Sequence, residues 1–220
     1  MIEITHKEIQ LFQERIINWF EENGRTFPWR NPSANNYQKI ISEVLLQRTQ
    51  ATTVSNFFPS FIEKYPSWKR LGLATELDLQ EALKPIGLYK QRAARMYKLA
   101  QEMKRRKGRF PKTRQEAEKL PMMGQYISNA YELFILNNPS PLLDVNMARV
   151  LERFFGPRKL ADIRHDPYLQ SLSKRVVDYP KKAQINWAIL DFASLVCKKR
   201  SPNCQICPLY NKCKYQFKNI

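Results

Sequence analysis

The apolar residues of this chain recur at helical spacing in ten separate segments, with Gly or Pro in most of the gaps between them. In the first segment, Ile9, Phe12 and Ile16 fall on one face of a helix. The segments are 8–23, 37–49, 52–65, 76–84, 90–107, 114–120, 126–136, 145–155, 170–177 and 183–196. No alternating strand pattern lies between them. The sequence therefore predicts an all-α protein.

Size and charge narrow the class of protein. The 220 residues can form one domain or two small ones with an ample core. No run of 18 apolar residues occurs, so we expect a soluble protein without a membrane span. The net charge of +17 is typical of proteins that bind nucleic acid, although a thermophile's charged surface is an alternative. The basic residues form several stretches, which predicts a folded positive face: 90–95, 104–112, 149–159 and 198–200.

All four cysteines lie in the last 24 residues, with the spacing Cys197-x6-Cys204-x2-Cys207-x5-Cys213. Four thiolates in one short segment can surround a soft metal centre. A disulfide pair is disfavoured because no signal peptide is seen and the chain can fold without staples. Structural zinc sites usually pair two short knuckles, and only Cys204-x2-Cys207 fits that pattern. The spacing favours a [4Fe–4S] cluster and leaves zinc or unligated thiols as alternatives.

Two carboxylates are candidates for catalysis. Asp144 opens the helix predicted at 145–155, where an aspartate is usually an N-cap but can also stabilise positive charge on a sugar. Glu43 has apolar neighbours on both sides, so it is either a partly buried general acid or a solvent-facing residue of an amphipathic helix. The two histidines, His6 and His165, have polar neighbours, which argues against histidine-based nucleophilic catalysis.

The segment Leu120–Ala130 predicts a helix end, a tight turn and a new helix that begins near Gln125. Amides at a helix start, beside a glycine that lets another backbone approach, suit a DNA phosphate. An ordinary corner between two helices is the alternative.

These features, taken in order, resemble the helix-hairpin-helix DNA glycosylases of the endonuclease III superfamily, from about Trp19 to Cys213. Each segment is weak evidence alone, and the six in order are specific. They are Phe27-Pro-Trp-Arg30, Ser42-Glu-Val-Leu-Leu-Gln-Arg-Thr49, Gly87-Leu88-Tyr89, Leu120–Ala130, Leu143-Asp-Val-Asn-Met-Ala-Arg-Val150 and the cysteine spacing.

The resemblance implies two helical domains flanking a DNA-binding cleft, into which the target nucleotide is flipped. One is a six-helix barrel with the helix-hairpin-helix, at 30–136. The other joins 1–29 to 137–220 and carries the [4Fe–4S] cluster loop, 197–213. The implied cluster ligands are Cys197, Cys204, Cys207 and Cys213.

The resemblance also implies the roles of individual residues. The implied catalytic residues are Glu43, Tyr126 and Asp144. Leu88 would fill the gap left by the flipped nucleotide, and Gln47 and Arg48 would reach the opposite strand. The implied DNA-binding residues are Arg30, Gln47, Arg48, Thr49, Leu88, Tyr89, Met123, Gly124, Gln125 and Asn146. The expected partner of this monomer is double-stranded DNA with a mismatched or modified base, in the nucleoid of a prokaryotic cytoplasm.

Position 126 separates two reactions within the resembled family. Bifunctional members have a lysine there, whose amine attacks the sugar and permits strand cleavage. Tyr126 cannot form that imine, which implies a monofunctional glycosylase that leaves an abasic site. Intact Glu43, Tyr126 and Asp144 argue against the rival class, a catalytically silent DNA-lesion binder.

The base excised is expected to be thymine or uracil opposite guanine. Ile86-Gly-Leu-Tyr-Lys-Gln-Arg-Ala93 and Leu190-Asp-Phe-Ala-Ser194 resemble the thymine branch. Adenine glycosylases normally continue past the cluster, whereas this sequence ends seven residues after Cys213. An adenine glycosylase acting opposite 8-oxoguanine or guanine is the alternative. The hairpin departs from the usual Leu-Pro-Gly-x-Gly at Met122, where a positive φ would cost about 1 kcal/mol.

Overall fold

A computed structural model describes residues 4–215, and within that range the chain forms α-helices and short 3₁₀ turns without a strand. The prediction of an all-α fold is confirmed. None of the helices in the described range has the length and apolarity needed to cross a membrane. The helices are α1 His6–Asn23, α2 Asn36–Leu46, α3 Ala51–Lys64, α4 Trp68–Leu71, α5 Glu76–Leu83, α6 Tyr89–Arg105, α7 Arg114–Ala117, α8 Gln125–Phe134, α9 Val145–Phe155, α10 Pro167–Val177 and α11 Lys182–Leu195.

Polar side chains fix where most of these helices begin. In a capping box, the N-cap side chain accepts from the N3 amide while the N3 side chain accepts from the N-cap amide, so two otherwise unpaired donors are satisfied. The capping boxes of α1, α2 and α5 pair Thr5 with Glu8, Asn35 with Gln38 and Thr75 with Asp78. Asp144 and Asp166 cap α9 and α10 in the simpler way, with a side-chain oxygen on backbone amides.

The largest differences from the predicted helices lie at helix ends and in one short helix. Helix α2 ends at Leu46, three residues before the predicted end, because Arg48 has φ +57° and cannot continue a right-handed helix. Helix α7 ends at Ala117 rather than at residue 120. Helix α4 was not predicted, because a single turn is too short to show a helical period.

The chain divides into two compact units, which we name for their place in the sequence. The central unit is Thr26–Asn137, and the terminal unit is the rest of the described chain. The predicted division differs from these bounds at residues 26–29 and 137, which it assigned to the other domain. The rings of Phe27 and Trp29 stack with centroids 4.9 Å apart and are buried in the core of the central unit, which explains why that unit begins earlier.

The central unit is organised around α2. Its buried face carries Ile40, Ile41, Val44 and Leu45, and the helix packs against α3 and α8. Helix α6 packs against α4 and α5. The unit comprises α2 to α8, of which α4 and α7 are single turns. A polar residue on this buried face of α2 is therefore removed from water.

In the terminal unit, α11 packs against α1 and α9. The ring of Phe12 on α1 lies 5.2 Å from the rings of both Phe154 and Phe155 at the end of α9. Buried Asn186 on α11 holds the segment that leads to α9: its Oδ1 accepts from the amide of Leu142 at 2.7 Å, and its Nδ2 donates to the carbonyl of Ser140 at 3.2 Å. These bonds fix the chain two residues before Asp144.

Replacing Asn186 by alanine should therefore lower the free energy of unfolding by about 1–3 kcal/mol, because the buried Leu142 amide loses its acceptor. Urea denaturation measures this value. Asn23→Ala is the matched control: exposed Asn23 donates to the carbonyl of Trp19, and its loss should cost less than about 0.5 kcal/mol. Equal effects of the two substitutions would contradict the anchoring role of Asn186.

Candidate active site

Glu43 lies on the buried face of α2 and is only 3% exposed. This position excludes the alternative of a solvent-facing glutamate. The hydroxyl of Tyr126, in the first turn of α8, donates to Glu43 Oε2 at 2.9 Å. Burial without a hydrogen-bonding partner would strongly disfavour the carboxylate, so the contact with Tyr126 is part of what makes the position tolerable. The structure thus brings together two of the three predicted catalytic residues.

The predicted hairpin is a tight turn between α7 and α8. Met122 has φ +71°, which is the left-handed conformation. This conformation is unfavourable for a residue with a side chain, as the sequence analysis noted for this position. Gly124 is the N-cap of α8, and a Cβ built on it would meet no atom within 4 Å. The first intrahelical bond of α8 runs from the Ser128 amide to the Gly124 carbonyl, so the amides of 125–127 precede it. The amides of Met123 and Gly124 donate to the carbonyls of Leu120 and Met122, so the helix start at 125–127 is the part of this turn suited to an anion.

Two further loops of the central unit carry predicted DNA-binding residues. Leu88 is the N-cap of α6, with φ +52° and a side chain 49% exposed. An exposed apolar residue held in a strained conformation indicates a functional position rather than a core leucine. Arg48 is exposed with φ +57°, between half-buried Gln47 and Thr49.

The other two predicted DNA-binding residues of the central unit are tied to its core. The guanidinium of Arg30 lies 4.7 Å from the centre of the Phe27 ring, within the range of a cation–π contact. Half-buried Tyr89 packs against the hydrophobic core.

Asp144 lies in the terminal unit, as the N-cap of α9. Its Oδ1 accepts from the amides of Asn146 and Met147 at 2.9 and 2.8 Å, and its Oδ2 accepts from Asn146 Nδ2 at 2.6 Å. Burial raises the pKa of Asp144 above its ordinary value, while these hydrogen bonds and the charge of Arg149 act in the opposite direction. The Asp144 carboxyl group is a helix cap held by three hydrogen bonds, and this position is compatible with both predicted roles.

Two arginines that the sequence did not single out connect α9 to the cysteine segment. Arg149 donates to Asn146 Oδ1 at 3.0 Å and to the carbonyl of Cys197 at 2.9 Å. One turn further on, Arg153 Nη1 lies 3.4 Å from Cys197 Sγ. The sequence feature that could have identified these arginines is the spacing of positions 146, 149 and 153, which share one face of a helix.

The four cysteines occupy one short segment and are all half-buried free thiols. The Cys213 thiol donates to the carbonyl of Arg153 at 3.3 Å, so two cysteines lie beside the same arginine. Burial raises the pKa of the Cys207 thiol to about 11, and the other three cysteines add to this shift. Within the described range, no group of three or more His, Cys, Asp or Glu side chains is placed to hold a metal ion.

The sequence profile of the HhH-GPD superfamily base excision DNA repair protein matches residues 41–176, a range that includes Glu43, Tyr126 and Asp144. The chain belongs to this superfamily. The predicted family is thereby confirmed.

Relatives within the HhH-GPD superfamily cover nearly the whole chain. A thymine-DNA glycosylase of Aeropyrum pernix is 33% identical over 98% of both sequences, and a thymine/uracil-DNA glycosylase of Pyrobaculum aerophilum is 34% identical over 91% of this chain and 89% of its own. An adenine DNA glycosylase of Buchnera aphidicola is 32% identical over 95% of this chain and 59% of its own. The structure of a thermostable thymine-DNA glycosylase is 28% identical, with a TM-score of 0.88 over 97% of this chain and 98% of that one.

The strain at Met122 can be measured by comparing two substitutions of the same residue. Met122→Gly and Met122→Ala both remove the half-buried side chain, but only glycine adopts φ +71° without cost. We expect the glycine variant to be more stable than the alanine variant by about 1 kcal/mol in urea denaturation.

The neighbouring residue provides the control. Met123 is also half-buried and is not among the residues with positive φ. At Met123 the alanine variant should be more stable than the glycine variant, because glycine gains more conformational freedom than alanine on unfolding. The same order of stability at both positions would contradict strain at Met122.

Proposed function

We propose that this chain is a monofunctional DNA glycosylase that removes thymine or uracil opposite guanine from double-stranded DNA. The observation that carries the proposal is the contact between Tyr126 and buried Glu43. It places an acid inside the central unit beside a phenol, and a phenol offers no amine for an imine with the sugar. Hydrolysis by water, with the strand left intact, is the reaction that such a pair supports.

Asp144 is assigned the role of stabilising positive charge on the deoxyribose. When the bond from C1′ to the base breaks, its electron pair leaves with the base and positive charge develops on the deoxyribose. A carboxylate held by two backbone amides at a helix start cannot easily turn away, so its charge is already oriented for that cation. Water then bonds to C1′ and loses a proton, which balances the proton that the departing base takes up.

Glu43 is assigned the role of proton donor to the departing base. Tyr126 is assigned the role of orienting Glu43. Glu43, buried inside the central unit, is assigned the proton that the base takes up as negative charge develops on it. The Tyr126 hydroxyl holds the Oε2 atom of Glu43 in place. The loop at Leu88 is assigned to base flipping, and the loop at Arg48 is assigned to contact with the opposite strand.

The choice of thymine or uracil is supported by relatives that match nearly the whole chain and by the segments at 86–93 and 190–194. An adenine glycosylase is the second candidate, supported by the Buchnera aphidicola relative. The strong positive charge suits either duplex, because phosphate contacts dominate affinity without carrying sequence information.

A cleavage panel tests the function and the two carboxylates together. Duplexes with T:G, U:G, A:G and A:8-oxoguanine are incubated with enzyme and then split into samples with and without alkali. We expect T:G and U:G strands to be nicked only after alkali, and borohydride to trap no covalent adduct because Tyr126 has no amine. Excision confined to A:G and A:8-oxoguanine would favour the second candidate, and nicking without alkali would contradict the monofunctional assignment.

Asp144→Asn and Glu43→Gln should each slow single-turnover excision by about a hundredfold or more. Asparagine remains a good N-cap, so Asp144→Asn should keep the fold and most of the DNA affinity. Asp162→Asn is the matched control, since half-buried Asp162 pairs with Arg164 in the same unit. An active Asp144→Asn enzyme would remove Asp144 from the mechanism.

We further propose that Cys197, Cys204, Cys207 and Cys213 hold a [4Fe–4S] cluster. The donor set suits it, because four thiols share one segment and two of them, Cys197 and Cys213, lie beside Arg153, whose positive charge compensates the negative charge of thiolates. Such a cluster would fix the segment and add local charge. It leaves no ligand position for a substrate, so the reaction is assigned to Asp144 and Glu43.

Purified protein should therefore be yellow-brown and contain about four irons and four sulfides per chain. Metal analysis and acid-labile sulfide measure these, and Cys207→Ser should lower the iron content and the thermal stability together. Since the chain has no other cysteines, a thiol titration of the unfolded, metal-stripped protein should count four. Colourless protein with one zinc per chain would contradict the cluster.

A further inference from the structure

Arg92, on the first turn of α6, is buried although it carries a charge. It is 5% exposed. Its hydrogen bonds go to three neutral oxygens: Nη1 donates to the carbonyl of Leu45 at 3.2 Å, and Nη2 donates to the carbonyl of Gln47 at 2.9 Å and to Thr49 Oγ1 at 2.8 Å. All three acceptors lie at or just beyond the C-terminus of α2.

Burial of this guanidinium is costly, and the α2 terminus offsets part of the cost. Loss of hydration lowers the pKa of Arg92, which shows that the environment disfavours the charge. The last carbonyls of a helix carry partial negative charge and lack intrahelical donors, so a cation at this position is favoured. A buried leucine would pack at the same place without the desolvation cost, but it could not hold the chain after α2.

The same residue is also joined to the loop that carries Leu88. The Arg92 backbone amide donates to the Leu88 carbonyl at 3.0 Å. One residue thus connects the loop at 47–49, through its side chain, to the exposed Leu88, through its backbone. Both loops contain a non-glycine residue with positive φ, Arg48 at +57° and Leu88 at +52°, and strained conformations persist only where the surroundings hold them.

We infer that Arg92 is a positioning residue that holds the 47–49 loop in register with Leu88, so that the two loops meet the DNA as one rigid unit. The inference rests on the proposed function, in which Leu88 fills the gap in the duplex and Gln47 and Arg48 reach the opposite strand. Its consequence is selectivity: with the loop fixed, the base opposite the lesion is read at a defined place relative to Leu88.

The test measures binding to duplexes with a tetrahydrofuran abasic site opposite G, A, C or T, and to an undamaged duplex. Arg92→Met keeps the length of the side chain and removes the donors. We expect the preference for an opposite guanine over the other bases to fall by about tenfold, as for the loss of a hydrogen bond to a charged group. Arg92→Lys keeps the charge and should restore part of the preference.

Arg95→Met is the matched control, because exposed Arg95 lies on the same helix and has the same charge. It should weaken binding to all five duplexes equally, as expected for a phosphate contact, and leave the preference unchanged. If Arg92 only stabilised the fold, Arg92→Met would lower the melting temperature and keep the wild-type preference. That outcome would overturn the inference.

Thr49→Val gives a second route if Arg92→Met does not fold. It removes one acceptor of Arg92 with little change of shape, and it should reduce the opposite-base preference in the same direction. An unchanged preference in Thr49→Val and Arg92→Lys together would also overturn the inference. Because no base is excised in this assay, failure of the cleavage panel on T:G and U:G leaves the binding result readable, so the two proposals fail separately.

Discussion

The unpaired backbone groups at helix ends are the constraint on which this structure depends. A chain built from short helices has many such ends, and each end needs a partner from a side chain, a turn or a ligand. The candidate functional groups are found at these places. Asp144 caps the start of α9, Gly124 is the N-cap of α8, and Arg92 binds carbonyls at the end of α2. Residues that complete helix ends are therefore also the candidates for function.

Much of the fold was predictable because helical period and turn residues are local signals. Helix α9 has the predicted bounds, 145–155, since Asp144 marks its start and Gly156 follows its end. The family was predictable from six segments in order. The end of α2 was not predictable from the sequence, because Arg48 adopts a left-handed conformation that its residue type does not favour. The single turn α4 carried no period to detect.

Contacts between distant residues were beyond the sequence. Tyr126 and Glu43 are 83 positions apart, and only packing of α8 on α2 brings the hydroxyl to the carboxylate. Arg149 looked like one basic residue among many, yet it joins Asn146 to the backbone of Cys197. Arg92 was likewise part of a basic stretch, and its burial became evident only in the fold. Stretches of basic residues predict a positively charged surface, but they do not show which basic side chain is buried in the fold.

The left-handed residues Arg48, Leu88 and Met122 also limit how this sequence can diverge. At such φ values a β-branched side chain clashes with its own backbone, so Val, Ile and Thr are disfavoured at each position regardless of their polarity. Glycine is always tolerated sterically, but it would loosen the loop. Substitution at these three positions is therefore limited by backbone geometry as well as by side-chain chemistry.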